Sequence, residues 1–574
     1  MSRPNKSEKA QRLIIEGQQH YINGDLRKAE ACLKAARKAA PDFSDAGMLL
    51  GLLYLDTGRA NFAAQHFKSF LKTRPDDPDI LNNYGVACLQ NGDDDNGFKA
   101  IERAAYLVPD NVTFQIDYGI ALIGRGRPAD AVKVMNKIYP KASDNLEIAI
   151  NLGHALRLIG DIDRSRTILE TAYKTNSDNP SILNNLAVTL EEHGMFDEAA
   201  TLLSKAVQLS PQTASLYANL GSTLRHLGRY DEAIVATRRA VELEPDEPEW
   251  SFKLAMILLL LGNFKEGWPH YQTRWRIFKR QGIGSLKGKK WNGAPLGNKT
   301  LLLRHEQGPG DQITFATCLN DAIKIKENGH IIFECDPRLV PCFSRTYPEI
   351  EIISHDADGR SPKHDVIAGL GDLPGFFRPT IDDFKPFKGR KIIADPALLQ
   401  HWKDAFSALG KGPKIGIAWR GGAEKISILK RSFDLKTLMP VLQIPNCHFI
   451  NIQYGASADE IKNLQRDHGI IVHNWPEVDP LHELENHIAQ IDALDLIIQA
   501  SNTSAHIAGA LHKPVFLAQS FSPYWLWSID SSTSLWHPHI QQFRASAAGE
   551  WNTVISDMAD ALTQWISKNY SHHD

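Results

Sequence analysis

Eight glycines, Gly24, Gly58, Gly92, Gly126, Gly160, Gly194, Gly228 and Gly262, stand 34 residues apart without exception. A second comb in the same register reads Gly17, Gly51, Gly85, Gly119, Gly153, Ala187, Gly221 and Ala255. A third reads Ala29, Ala63, Gly97, Ala131, Ser165, Ala199, Ala233 and Gly267, and prolines recur at Pro41, Pro75, Pro109, Pro211 and Pro245. Fixed small residues at a fixed period leave little choice of architecture. Each unit is one supersecondary element whose apolar face is buried only against its neighbours, so roughly residues 9 to 270 form a linear array.

This pattern resembles the tetratricopeptide repeat, a helix-turn-helix unit in which small residues let two helices approach and a proline ends the second. The resemblance implies a superhelix with a concave groove that takes extended peptides. Two residues before the second-comb position lie Asn83, Asp117, Asn151, Asn185 and Asn219, on the first helix of five consecutive units. Amides at such a position can bond within their own repeat or tolerate solvent. They can equally bond the N–H and C=O groups of a bound peptide without reading its side chains. The second arrangement resembles the asparagine ladder of the eukaryotic O-linked N-acetylglucosamine transferase. The run Asp93 to Asp95 sits in an inter-helix turn and lacks the alternate spacing of a calcium loop, so it is given no function.

From about residue 299 the periodicity changes. Apolar runs such as "TLLLR", "HIIFEC", "KIGIA", "LDLIIQA" and "KPVFLAQ" alternate with helical patterns, which predicts parallel sheets with helices on both faces. In such sheets ligands bind beyond the carboxyl ends of the strands. The polar turns there are "HEQGPGD", "RGGAEK", "QYGASAD" and "SNTSAH". Asp311 in the first is either a helix cap or a carboxylate held over a reaction site. In the last, Ser501, Asn502, Thr503 and Ser504 precede a helix, as capping residues or as a phosphate cradle. Arg420, Lys425, Lys430 and Arg431 are the nearby cations available to neutralise a phosphate, each otherwise a solvated surface charge.

Composition narrows the function. A formal net charge of −3 gives no global attraction to nucleic acid or anionic lipid. The six cysteines form no C-x-x-C pair and read as reduced thiols of a cytoplasmic protein. The amino terminus lacks the apolar run of a signal peptide, and the most apolar stretch, residues 254 to 262, is too short to span a bilayer. No His, Cys and carboxylate set shows ligand spacing in the sequence, and neither a P-loop nor a G-x-G-x-x-G turn opens a helix, so no metal or cofactor is expected.

Nearly the whole chain resembles bacterial tetratricopeptide proteins fused to a GT-B glycosyltransferase domain related to the heptosyltransferases. The resemblance rests on "WNGAPLGNKTLLLRHEQGPGDQITFA", "IGIAWRGGAEK" with "RSFDLKTLMPVL", "LIIQASNTSAHIAGALHKPV", and the closing "SPYWLW", "SLWHPHIQQFRA" and "EWNTVI". It implies an α-solenoid over 1–270, a linker over 271–298 and a Rossmann-like acceptor domain over 299–395. A connecting helix over 396–412, a Rossmann-like nucleotide-sugar domain over 413–545 and a carboxyl-terminal helix and tail over 546–574 complete the GT-B arrangement. The Gly-Asp of the heptosyltransferases aligns with Gly310 and Asp311, which makes Asp311 the implied base, with His305 and Glu306 as second candidates or as residues that orient the turn. Their Asp-Thr aligns with Ser501 and Asn502; the missing carboxylate points away from heptose and ADP-linked donors, while His506 and the helix start are retained.

The function implied is metal-independent, inverting transfer of a sugar from a nucleotide-sugar donor to a hydroxyl of a protein acceptor held by the repeats, as in flagellin-modifying members of such families. Ser501 to Ser504, His506 and Arg420 or Lys430 would hold the donor. Two other classes remain open: a non-catalytic adaptor with a degenerate transferase domain, and a transferase acting on a glycan or lipid carrier.

Overall fold

The computed structural model describes residues 6–40, 44–280, 286–355, 361–384, 392–421, 431–455, 457–529, 531–547 and 549–570. Pro41, Lys425 and Lys430 lie outside them. The chain divides into two compact units, Met1–Ser210 and Pro211–Asp574.

The first unit is a succession of antiparallel helix pairs, among them Pro78–Gln90 with Asp94–Leu107 and Leu146–Leu158 with Ile162–Thr175. The first glycine comb marks the turn within each pair. Gly24, Gly58, Gly92, Gly126, Gly160 and Gly194 all have φ between 69° and 80°, the left-handed region that an L side chain adopts only at a cost. The second comb acts differently: a Cβ on Gly85 would lie 2.4 Å from Ile101 Cγ1 and 2.8 Å from the Gly97 carbonyl oxygen. One comb turns the chain and the other lets the paired helices touch. Starts are capped in sequence, Asp77 accepting from the Ile80 N–H at 3.2 Å and Asn179 from the Ser181 N–H at 2.9 Å.

The second unit begins with two further helix pairs, Ala214–His226 with Tyr230–Leu243 and Pro248–Leu260 with Phe264–Tyr271, then the helix Arg274–Arg280. Two all-parallel sheets follow. The four-stranded one contains β1 (Thr300–Arg304), β2 (His330–Cys335), β3 (Glu351–Ser354) and β4 (Val366–Gly369) in the order β3-β2-β1-β4. The six-stranded one contains β5 (Lys414–Ala418), β6 (His448–Asn451), β7 (Val472–His473), β8 (Leu496–Ala500), β9 (Val515–Gln519) and β10 (Ile540–Arg544) in the order β10-β9-β8-β5-β6-β7. The segment from Ile540 to Arg544 shows no apolar run because it is an edge strand whose residues alternate between buried and accessible. The central strands β8 and β9, buried throughout, are the continuous apolar runs visible in sequence.

The compact division falls at residue 210 rather than at the end of the repeat pattern. The last helix pair sends its aromatic residues into the core of the region that follows it. Phe264, Trp268 and Tyr271 share one buried core with Phe315, Trp525 and Trp536, and Trp268 Nε1 donates to the Arg378 carbonyl at 2.8 Å. Arg274, fully enclosed, pairs with Glu306 through two N–H groups and with Asp372 at 2.6 Å, joining the helix after the repeats to the carboxyl ends of β1 and β4.

Candidate functional site

A cavity of about 400 Å³ opens between the two sheets, lined from the first by Gly308, Pro309, Gly310, Asp311 and Arg338. From the second it receives Arg431, Tyr454, His487, Ser501, Asn502, Thr503, Ser504, His506 and Tyr524. The turns after β1 and β8, distant in sequence, therefore meet. Glycine makes the meeting possible: a Cβ on Gly310 would lie 2.9 Å from His506 Cδ2 and 3.5 Å from Thr503 Cα. The helices Pro309–Phe315 and Thr503–Ala510 pack on each other through this bare position.

Asp311 is not the residue that caps its helix from outside. Gly308 is the N-cap, and Asp311 lies in the first turn, where its carboxylate accepts the Gly308 N–H, the acidic half of a capping box. It also accepts the Tyr524 hydroxyl at 3.1 Å. Desolvation in this pocket pushes its pKa up to about 6, against the pull of the Tyr524 and Gly308 donors. Arg431 lies over the Tyr524 ring, 4.8 Å from its centroid. A carboxylate that titrates near 6 beside a cavity has the properties of a general base.

The turn after β8 is built as much by capping as by any ligand. Asn502 is the N-cap of Thr503–Ala510: its oxygen accepts the Ala505 N–H at 3.3 Å and its amide donates to the Arg420 carbonyl at 3.1 Å. Ser501 Oγ accepts from Trp527 Nε1 at 2.8 Å, and Ser504 Oγ bonds His487 Nε2 at 2.8 Å. Thr503 is the member of the four that remains partly accessible at the cavity wall.

His506 Nδ1 meets Thr314 Oγ1 at 2.7 Å, and that hydroxyl donates to the Gly310 carbonyl at 3.0 Å. This contact joins the His506 ring to the helix that begins at Pro309. Burial, with Arg431 nearby, lowers the ring's pKa to about 3. His506 stacks on Trp527 with centroids 4.6 Å apart, so it orients the two turns and adds no positive charge near neutral pH.

Three expected site residues lie apart from the cavity. Arg420 is held by Glu460 at 3.0 Å, with its guanidinium over Trp419. Glu306 is closed off by Arg274 and by the Gly371 N–H at 2.7 Å, so it serves the packing of the turn rather than a substrate proton. His305 turns to Glu334, 3.0 Å away. Lys430 lies outside the described residues. The cation that lines the cavity is Arg431.

His305, Glu334 and His355 form a cluster with ligand-type atoms all within 4.8 Å of one another. The sequence showed no ligand spacing because each residue comes from a different strand end. In the first unit, Asn83, Asn151 and Asn185 are half-buried and donate to the carbonyl four residues earlier, of Asp79, Glu147 and Ser181, at 2.8–2.9 Å. Asp117 instead accepts from Asn82 Nδ2 at 2.6 Å, and burial raises its pKa. In the second unit Asn219 Oδ1 accepts from Lys253 at 3.3 Å. The own-helix bond explains the amide donors; the amide oxygens are a separate matter. Among the described residues no helix is long and apolar enough to cross a membrane.

Tetratricopeptide repeat family models match residues 16–68, 62–112 and 178–245. Protein FlbA of Caulobacter vibrioides is 29% identical over 333 residues, an alignment covering 55% of this chain and 55% of FlbA. The chain thus spans about half the length of this curated relative. A tetratricopeptide repeat protein from Parabacteroides merdae is 18% identical with a TM-score of 0.39, covering 44% of this chain and 99% of its own. A chain of the Cut9–Hcn1 assembly is 17% identical with a TM-score of 0.39, covering 46% of this chain and 52% of its own. The amino-terminal part of the chain is a helical tetratricopeptide-repeat solenoid, and the carboxyl-terminal part is α/β with parallel sheets.

Proposed function

We propose that the chain is a GT-B glycosyltransferase that moves a sugar from a nucleotide-sugar donor to a hydroxyl of a protein bound by the repeats. The observation that carries this reading is the cavity in which Asp311, with a pKa near 6, faces the helix start at Thr503 and the cation Arg431. In the transfer, Asp311 takes the proton of the acceptor hydroxyl as its oxygen attacks the anomeric carbon from the face opposite the leaving phosphate, inverting it. The oxygen leaving with the nucleotide gains negative charge, which Arg431 and the positive end of Thr503–Ala510 stabilise. His506, through Thr314, holds the donor turn against the acceptor turn, and Asn502 ties the donor turn to the Arg420 carbonyl. No step in this scheme requires a metal.

Support for a protein acceptor comes from the repeats, whose Asn83, Asn151 and Asn185 present amide oxygens from half-buried positions. The adaptor reading draws on a different observation: Ser501, Asn502 and Ser504 all have internal partners, as they would in a domain that holds no donor. A panel of nucleotide sugars added to the full chain separates the two. A rise in melting temperature with one donor, followed by loss of a glycopeptide mass from cells lacking the gene, is the expected result. No shift with any donor favours the adaptor; a shift with an unchanged glycoprotein profile favours a glycan or lipid acceptor.

A further inference from the structure

Three adjacent parallel strands end in one cluster. β1 runs into His305, β2 carries Glu334 as its next-to-last residue, and β3 runs into His355, in the sheet order β3-β2-β1. Both imidazoles aim Nδ1 at the same carboxylate oxygen, Glu334 Oε1, at 3.0 Å from His305 and 2.9 Å from His355, and their ring centroids are 3.9 Å apart. Donor atoms bonded to one first-row ion at about 2.0–2.2 Å sit about 3 Å from each other when adjacent; each imidazole nitrogen stands at that separation from Glu334 Oε1, and all three ligand atoms lie within 4.8 Å of one another. Arg304 Nε is 3.7 Å from that oxygen, beyond hydrogen-bond reach, so it screens the carboxylate without occupying it. The Glu334 side chain is 7% exposed while those of His305 and His355 are 22% and 37% exposed, giving a buried anchor with an open entrance.

We propose that His305, Glu334 and His355 bind a divalent first-row transition ion. Two imidazoles and one carboxylate suit zinc, cobalt or ferrous iron, whereas calcium and magnesium prefer all-oxygen sets. Three protein ligands leave at least one position for water or an oxygen of a bound molecule. The site does not depend on sugar transfer: it stands on the strand ends alone, although His305 belongs to the same turn as Asp311. The three ligands are distinct from Arg431 and Thr503, which line the cavity that the cluster does not.

The test uses metal-free full-length chain, loaded with Zn²⁺ or Co²⁺ and passed through gel filtration, with metal content read by mass spectrometry and Co²⁺ by visible absorption. The 22 histidines of the chain make stray binding a real alternative, so the comparison is with Glu334→Gln and His355→Gln. About one equivalent retained by the unaltered chain, with loss of the ion and of the Co²⁺ absorption in the variants, is the expected result. No retained ion, or equal retention in the variants, overturns the proposal. Should Glu334→Gln fail to fold, His355→Gln, at a partly exposed position, decides it.

Discussion

Asp311 carries an energetic signature that differs from that of most carboxylates. Its folded pKa of about 6 lies above the ordinary 3.8, so the folded chain binds this proton more tightly than the unfolded chain does. Between pH about 4 and 6 its contribution to stability falls as pH rises, and above pH 6 the penalty is fully present. Asp311→Asn keeps an oxygen for Tyr524 and Gly308 while removing the desolvated charge. The variant is expected to be more stable at pH 7 by about 1–3 kcal/mol in urea denaturation, an advantage that shrinks as pH is lowered from 6 to 4. If Asp311 is the base, the same variant loses turnover, and kcat/KM of the unaltered chain rises through pH about 6 to a plateau. A fall in stability on this substitution would mean that Asp311 serves mainly the turn. Gly310→Ala probes the neighbouring contact. Its Cβ meets His506, which is locked against Trp527, so a loss of about 1–3 kcal/mol with a drop in turnover is expected.

At the level of the element, what the sequence makes legible is whatever depends on backbone geometry. A positive φ at Gly92 and a helix-helix contact at Gly85 each demand a small residue, so both appear as periodic signals. Gly92→Ala should cost about 1–2 kcal/mol and leave the packing intact. Gly85→Ala should cost about 1–3 kcal/mol and also push Pro78–Gln90 away from Asp94–Leu107, because part of what its Cβ meets is backbone. Hydrogen exchange distinguishes them: weakened protection in both helices is expected for Gly85→Ala alone, and equal protection in the two variants would contradict this account. Strand and helix order was legible for the same reason, as buried parallel strands are apolar throughout. Side-chain direction was not. Arg420 and Arg431 carry equal charge, and Trp419 and Glu460 hold the first away from the cavity that the second lines. Likewise His305, Glu334 and His355 come together through strand order, which leaves no mark on local spacing.

On the scale of the second unit as a whole, the helix pairs Ala214–His226 to Phe264–Tyr271 belong thermodynamically with the sheets that follow. Trp268 is buried among residues of both the repeat helices and the α/β region, and Arg274, Glu306 and Asp372 form an enclosed ionic set. Glu306→Gln leaves Asp372 opposite Arg274 but replaces two charged N–H···O contacts in a dry site with at most one neutral one, and should cost about 1–3 kcal/mol. The expected readout is a joint loss of exchange protection in Pro248–Leu260, Phe264–Tyr271 and β1; protection lost from β1 alone would mean that the two parts unfold separately. The 34-residue pattern runs past residue 210 without interruption, so this fusion is invisible in the comb. It shows in Phe264, Trp268 and Tyr271 entering one core with Phe315, Trp525 and Trp536.

That shared core also limits how such a chain can diversify. Units before residue 210 are interchangeable bricks of equal length, and a duplication or loss of 34 residues there leaves each remaining brick with a neighbour of familiar shape. The last two are not. Their aromatic residues are built into the core of the α/β region, so descent should carry them as a block with it, and an exchange of repeat arrays between relatives should place its seam near residue 210 rather than near residue 270.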